Sequence, residues 1–246
     1  MTHPLGLART VGFVGVLVVL TASVARAEHD GTPPNYPQSL EPALGTLLKQ
    51  RKAYAEDVGL LLKLSEVYLD MGDDLYSEED ERRRAYEEGA RLAKRALDLE
   101  DTNAHAHFLY AANLGNEKRL KGTGSAMLAL DDIKSHVRRA IALNPLHARA
   151  LQFMGGLLAD LPWFLGGDRK AAQDHLERAV AADGNFTNAR ILLARLYVKQ
   201  DRVDDARAQL EAVIRAESPH YRRAWIHRLK PEAERLLKQL SDSRSP

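Results

Sequence analysis

No cysteine occurs anywhere in the 246 residues. That absence excludes disulfides, thiol catalysis, cysteine-ligated zinc, iron–sulfur clusters and covalent c-type haem. The catalytic signatures H-E-x-x-H, G-x-S-x-G and G-x-x-x-x-G-K-[ST] are missing as well, so neither an enzyme nor a cofactor is expected. His105 and His107 stand two apart, which on a helix points them to different faces, and they cannot chelate a metal as an i,i+4 pair would. Gly122-Thr123-Gly124-Ser125 has the composition of a phosphate-binding nest. It lacks the preceding strand and following lysine, and reads as an insertion. Aromatics make up only 6%, and a formal net charge of +1 with interspersed signs gives no argument for nucleic acid or an anionic membrane.

Long apolar runs are also scarce. Val11 to Leu20 is too short for a stable span, which needs about 20 residues, but it suits the h-region of a secretory signal. Arg9 precedes it, and Ala25-Arg26-Ala27 is an A-x-A cleavage site. Residues 1–27 are therefore expected to be a cleaved signal peptide, giving an exported, periplasmic protein. No lipobox cysteine is present for an anchor. Cleavage would remove two arginines and no acid, taking the formal charge from +1 to −1.

What the chain has in quantity is Ala, Leu, Arg and Glu at helical spacing. Residues 28–38, with Pro33, Pro34 and Pro37, read as a leader, residues 39–217 as a helical repeat domain, and residues 218–246 as capping helices and tail. In the stretch Pro145 to Phe186, Ala150, Leu151, Met154, Gly155 and Leu158 form one stripe, and Ala172, Leu176 and Ala179 form another. Gly155 and Ala172 are small where the two helices would touch, so their backbones can approach closely. Further stripes follow the same plan: Leu61, Leu64, Ser65 and Tyr68; Ala106, His107, Tyr110, Ala111 and Leu114; Ala189, Arg190, Leu193, Ala194 and Tyr197. Ser65, Ala111, Gly155 and Ala194 occupy one small-residue slot, at separations of 46, 44 and 39. Against the ~34-residue period of a tetratricopeptide repeat, these leave excesses of roughly 12, 10 and 5 residues, each expected in the turn inside a helix pair. The second of these is read as a polar connection from Gly115 to Ser125. The fold class is thus all-α: a TPR-like solenoid of about four helix pairs with terminal helices.

In such a solenoid the first helices line the concave side, where partners bind. The groove candidates for a partner or ligand are His107, Tyr110, Asn113, Gln152, Arg190 and Arg195. The basic cluster Arg222, Arg223, His227, Arg228 and Lys230 reads as the solvated outer face of a cap, with an anion site as the alternative. The link Leu161 to Asp168 carries Trp163 and Phe164, then Gly166 and Gly167 for unusual backbone angles, and Asp168 as an N-cap. The two rings are expected to fold back onto the helices, a contact with a partner being the other possibility.

Tyr110-Ala111-Ala112-Asn113-Leu114-Gly115, followed by Leu161-Pro162-Trp163-Phe164-Leu165-Gly166-Gly167 and an Ala-rich helix, resembles the T-component family of TRAP transporters. The resemblance implies an exported TPR-like scaffold, without enzymatic activity, that partners a periplasmic substrate-binding component and assembles as an oligomer. It also suggests an alternative function, carriage of a small hydrophobic ligand through an apolar oligomer cavity.

Overall fold

The computed structural model describes residues 35–242, and every regular element among them is helical. The expected signal peptide and most of the leader lie outside the described residues. Nine principal helices come first: α1 (Leu40–Arg51), α2 (Val58–Asp70), α3 (Glu79–Leu99), α4 (Ala104–Leu120), α5 (Thr123–Leu143), α6 (Ala148–Asp160), α7 (Arg169–Ala182), α8 (Thr187–Lys199) and α9 (Val203–Ile214). A closing segment follows, made of the short turn α10 (Arg222–Ala224), a π-helical stretch Trp225–Leu229, and α11 (Lys230–Asp242).

The pairs α2/α3, α4/α5, α6/α7 and α8/α9 stack in order, with α1 against α2 and α11 against α9. Ser65, Ala111, Gly155 and Ala194 are all buried, on α2, α4, α6 and α8 respectively. Their size matters directly. A β-carbon on Gly155 would lie 2.6 Å from Leu176 Cγ and 3.1 Å from the Ala172 carbonyl. Around these slots Leu61, Leu64, Leu109, Leu151, Leu193 and Leu210 are closed from solvent, and each contributes about 1.5–3 kcal/mol by burial.

Side-chain caps set several helix starts. Asp57 accepts from the Leu60 amide at 2.6 Å, Asn103 from those of His105 and Ala106, and Asp168 from those of Lys170 and Ala171. Each such cap contributes about 1 kcal/mol. Ser39 makes no such cap, and α8 begins after Phe186 with no side-chain cap.

The surplus residues of the longer repeats lie inside helix pairs, as expected, but in one pair they do not form a turn. Between α2 and α3 they form a π-helical turn, Met71–Leu75. In the second pair they lengthen the helices: α4 runs to Leu120 and α5 starts at Thr123, leaving only Lys121 and Gly122 between them. The polar stretch Gly115–Ser125 is therefore mostly helix. Glu117 explains this, since its buried carboxylate pairs with Lys118 at 3.0 Å and with Lys121 one turn on at 2.5 Å. Gly122, at φ +106°, then makes the reversal that a β-carbon would disfavour.

Candidate interaction groove

The first helices of the pairs turn a second stripe away from their partners. On α4 it is Phe108, Ala112, Asn116 and Arg119, and on α6 Arg149, Gln152, Phe153 and Gly156. The closing segment Tyr221–Leu229 crosses in front of them. Between the two lies a cavity of about 530 Å³, which shares Gln152, Phe153, Asn188, Arg228 and Leu229 with a neighbouring cavity of about 460 Å³. Together they make one continuous groove along α4, α6 and α8.

Arg149 organises its middle. The guanidinium pairs with Glu66 on α2, stands 4.6 Å over the Phe108 ring and 5.8 Å from that of Tyr221. His105, whose Nε2 is 3.7 Å from Glu66, and then Arg149 hold the Glu66 carboxyl down to about 2, against the upward push of burial. His147 stacks beside His105 at 3.3 Å between ring nitrogens and accepts from the Ala150 amide. Burial, then His105 and Arg149, lower its pKa to about 4, so the ring is neutral near pH 7.

One end of the groove is acidic. Asp73 accepts from the Tyr86 hydroxyl at 2.7 Å, and Asp74 from that of Tyr36 at 2.5 Å. Asp70 is pushed up to about 7 by burial, with Arg149 opposing and Glu66, Asp73 and Asp74 adding to the rise. Arg119, Arg223, His227 and Arg228 line the same cavity.

The sequence-selected candidates are not all gathered here. Gln152 lines both parts of the groove, and Arg195 lines the second, where its Nε donates to Glu232 at 2.7 Å. Four others face elsewhere. His107 is buried against α5, with Nδ1 2.8 Å from that of His136 and Nε2 2.9 Å from the Asp101 carbonyl. Tyr110 donates to Asp132 of α5 at 3.0 Å. Asn113 is fully buried and donates to Ser65 Oγ at 3.2 Å and to the Leu109 carbonyl at 3.0 Å. Arg190 donates to the Gly184 carbonyl and to Gln209 of α9. The stripe chosen on α4 is the one facing α5 and the core. The concave stripe is rotated by one residue, at Phe108, Ala112 and Asn116, and its i, i+4, i+8 spacing was the available signal.

The motif loop also departs from expectation. Trp163 is 85% exposed and Phe164 67%, packed edge-to-face on each other and not onto the helices. The positive φ falls at Gly166 (+83°). Gly167 is needed for space, because a β-carbon there would sit 1.8 Å from the Leu161 carbonyl oxygen. Lys134 of α5 donates to the Leu165 carbonyl at 3.2 Å and fixes the loop to the preceding pair.

The stacked pairs define a helical-repeat scaffold of the tetratricopeptide type. A tetratricopeptide repeat family matches residues 164–226. A thermophilic TPR protein of Thermus thermophilus has the same fold, with a TM-score of 0.56 at 17% identity over 83% of this chain and 90% of its own. The chain belongs to the family described as Regulator of microtubule dynamics protein 1-3, whose match covers residues 27–164, more than half of its length. Regulator of microtubule dynamics protein 1 of Bos taurus is 29% identical over 169 residues, covering 62% of this chain and 53% of the relative. Regulator of microtubule dynamics protein 3 of Rattus norvegicus is 28% identical over 127 residues, covering 52% and 26%. The chain spans about half the length, or less, of these curated relatives.

These matches overturn two expectations. The chain is not assigned to the T-component family of TRAP transporters, and with that goes the partnership with a periplasmic substrate-binding component. The exported, periplasmic location falls too, because the family is described as Regulator of microtubule dynamics protein 1-3 and the relatives named above come from Bos taurus and Rattus norvegicus. The two motifs that carried the resemblance have local explanations: Asn113 ties α4 to Ser65 on α2, and Gly167 passes under the Leu161 carbonyl. Neither matched family is a catalytic one.

Proposed function

We propose that this chain is a non-enzymatic interaction scaffold that holds a segment of a partner protein in the groove along α4, α6 and α8. The observation that carries this reading is the groove itself. It is continuous, walled on one side by three consecutive first helices and on the other by the closing segment. Its polar side chains Asn116, Gln152 and Asn188 make no hydrogen bond to other described residues, so they are available to a peptide backbone, with Phe153 beside them. The relatives' name adds the process in which such binding would act, the regulation of microtubule dynamics.

The test is affinity capture from a cell extract with the wild-type chain and a Gln152→Trp variant that fills the groove, alongside co-sedimentation with microtubules. Captured proteins lost from the variant support the groove. Identical captures by both chains would count against it. Carriage of a small hydrophobic ligand is less well supported, because the walls of the main cavity carry five arginines and two aspartates. The exposed Trp163–Phe164 pair supports a second contact surface, since aromatic rings dominate interface hot spots. Trp163→Ala would remove a subset of captured proteins without affecting those held by the groove.

A further inference from the structure

We infer that the segment bound in this groove is acidic, and that its carboxylates are received by Arg119, Arg223 and Arg228. The inference rests on the groove reading above and narrows it to one partner chemistry. Its basis is an inequality in how the groove's charges are satisfied. Every acid toward the α2 end has a hydrogen-bonding or ionic neighbour or a suppressed charge: Glu66 pairs with Arg149, Asp73 and Asp74 accept from tyrosine hydroxyls, and Asp70 is held partly protonated by burial. Glu232 in the second cavity pairs with Arg195. The arginines divide differently. Arg82 donates to the Gly72 carbonyl, and Arg149 and Arg195 are paired. Arg119, Arg223 and Arg228 have no hydrogen-bond or ion-pair partner among the described residues, and all three line the same cavity. Asp160 lines the second cavity without a partner among the described residues, and tyrosine hydroxyls do not neutralise Asp73 and Asp74. With Arg149 paired to Glu66, however, the four remaining arginines of the main cavity outnumber its two aspartates, so positive charge is in excess.

The three come from separate elements. Arg119 stands at the last turn of α4, Arg223 in α10, and Arg228 in the π-helical stretch, with His227 beside it. Arginines placed on opposite walls of a groove can take successive carboxylates of an extended chain. Each guanidinium offers a planar fork of donors suited to a carboxylate. The cluster lines the cavity while staying open to solvent, so an incoming anion can reach its guanidinium groups.

The experiment measures fluorescence anisotropy of three labelled decapeptides, decaglutamate, decalysine and an uncharged Ser-Gly repeat, against the full chain. The variants are Arg119→Glu/Arg228→Glu and the groove-filling Gln152→Trp. Decaglutamate is expected to bind at least about tenfold more tightly than the uncharged peptide, and to lose about tenfold or more in the double reversal. Decalysine should gain in that same variant. Both arginines are exposed, and circular dichroism checks the fold. Arg119→Gln/Arg228→Gln repeats the test should the reversal unfold the chain. Decaglutamate binding that is no tighter than that of the uncharged peptide, or that survives both double variants, would overturn the inference. If the uncharged peptide binds and is lost only in Gln152→Trp, the groove reading stands and the acidic partner falls. If no peptide depends on Gln152, both fall.

Discussion

Gly167→Ala places the smallest possible side chain at the tightest point of the α6–α7 link. Its β-carbon would lie 1.8 Å from the Leu161 oxygen, 2.6 Å from the Leu161 carbonyl carbon and 3.0 Å from the Pro162 oxygen. All three are backbone atoms, so no rotamer change relieves the contact, and the chain from Leu161 to Asp168 must move. That movement strains the Gly167 amide bond to the Pro162 carbonyl and the Asp168 amide bond to the Leu158 carbonyl, both at 3.0 Å. Overpacking costs about 1–3 kcal/mol, and each weakened hydrogen bond up to about 1 kcal/mol more. A total of roughly 1–5 kcal/mol corresponds to a fall in Tm of about 2–20 °C for a domain of this size. Thermal melts followed by far-UV circular dichroism read it directly. Trp163→Ala is the control in the same loop: at 85% exposure the indole leaves no cavity, and its Tm should stay within about 2 °C of wild type. A Gly167→Ala melt within a degree of wild type would refute the steric reasoning. A large fall for Trp163→Ala would show that the rings do pack in solution.

Gly155→Leu should fail to give a cooperative melt, since its side chain would enter the space held by Leu176 and the Ala172 carbonyl. Asn113→Ala removes the donor to Ser65 and to the Leu109 carbonyl from a closed site, and should cost about 1–3 kcal/mol, read as a lowered midpoint in urea. For pH dependence, Asp70 has a folded pKa near 7, above its unfolded value. The folded chain therefore holds a proton that the unfolded chain has lost, and this group's contribution to stability declines as pH rises from about 4 to 7. Asp70→Asn should remove that decline, so the Tm advantage of the variant over wild type should grow across this range in paired melts. A constant difference would contradict the raised pKa.

The repeat was legible because it depends on residue size at one slot. Only small side chains fit where first and second helices meet, and Ser65, Ala111, Gly155 and Ala194 carry that constraint at any insertion length. The groove was harder to read. Polar residues flank the core stripe on both sides of a first helix, and sequence spacing alone does not say which flank meets its partner helix and which meets solvent. His107 and Tyr110 took the flank against α5, whereas Gln152 took the open one. The basic cluster at residues 222–230 posed the same ambiguity. Its orientation depends on a π-helical stretch that shifts the register of the closing segment, and helical periodicity does not encode that turn.

That closing segment makes the groove more than the inner curve of a solenoid. Trp225 Nε1 donates to the Val213 carbonyl at 2.7 Å, anchoring the segment on α9, and Glu232 holds Arg195 on α8. Tyr221 lies 6.0 Å from the Phe186 ring and within 5.8 Å of the Arg149 guanidinium, which in turn reaches Glu66 on α2. One chain of contacts therefore joins the last helices to the first pair across the concave side. Nearest-neighbour contact alone would leave a stack of pairs free to flex about each interface. With the ends linked through Arg149, the spacing between α4 and the closing segment is set by side chains in the groove wall. The elements that carry the arginines on opposite walls are thus spaced before anything binds, which lowers the ordering cost that a partner segment must otherwise offset.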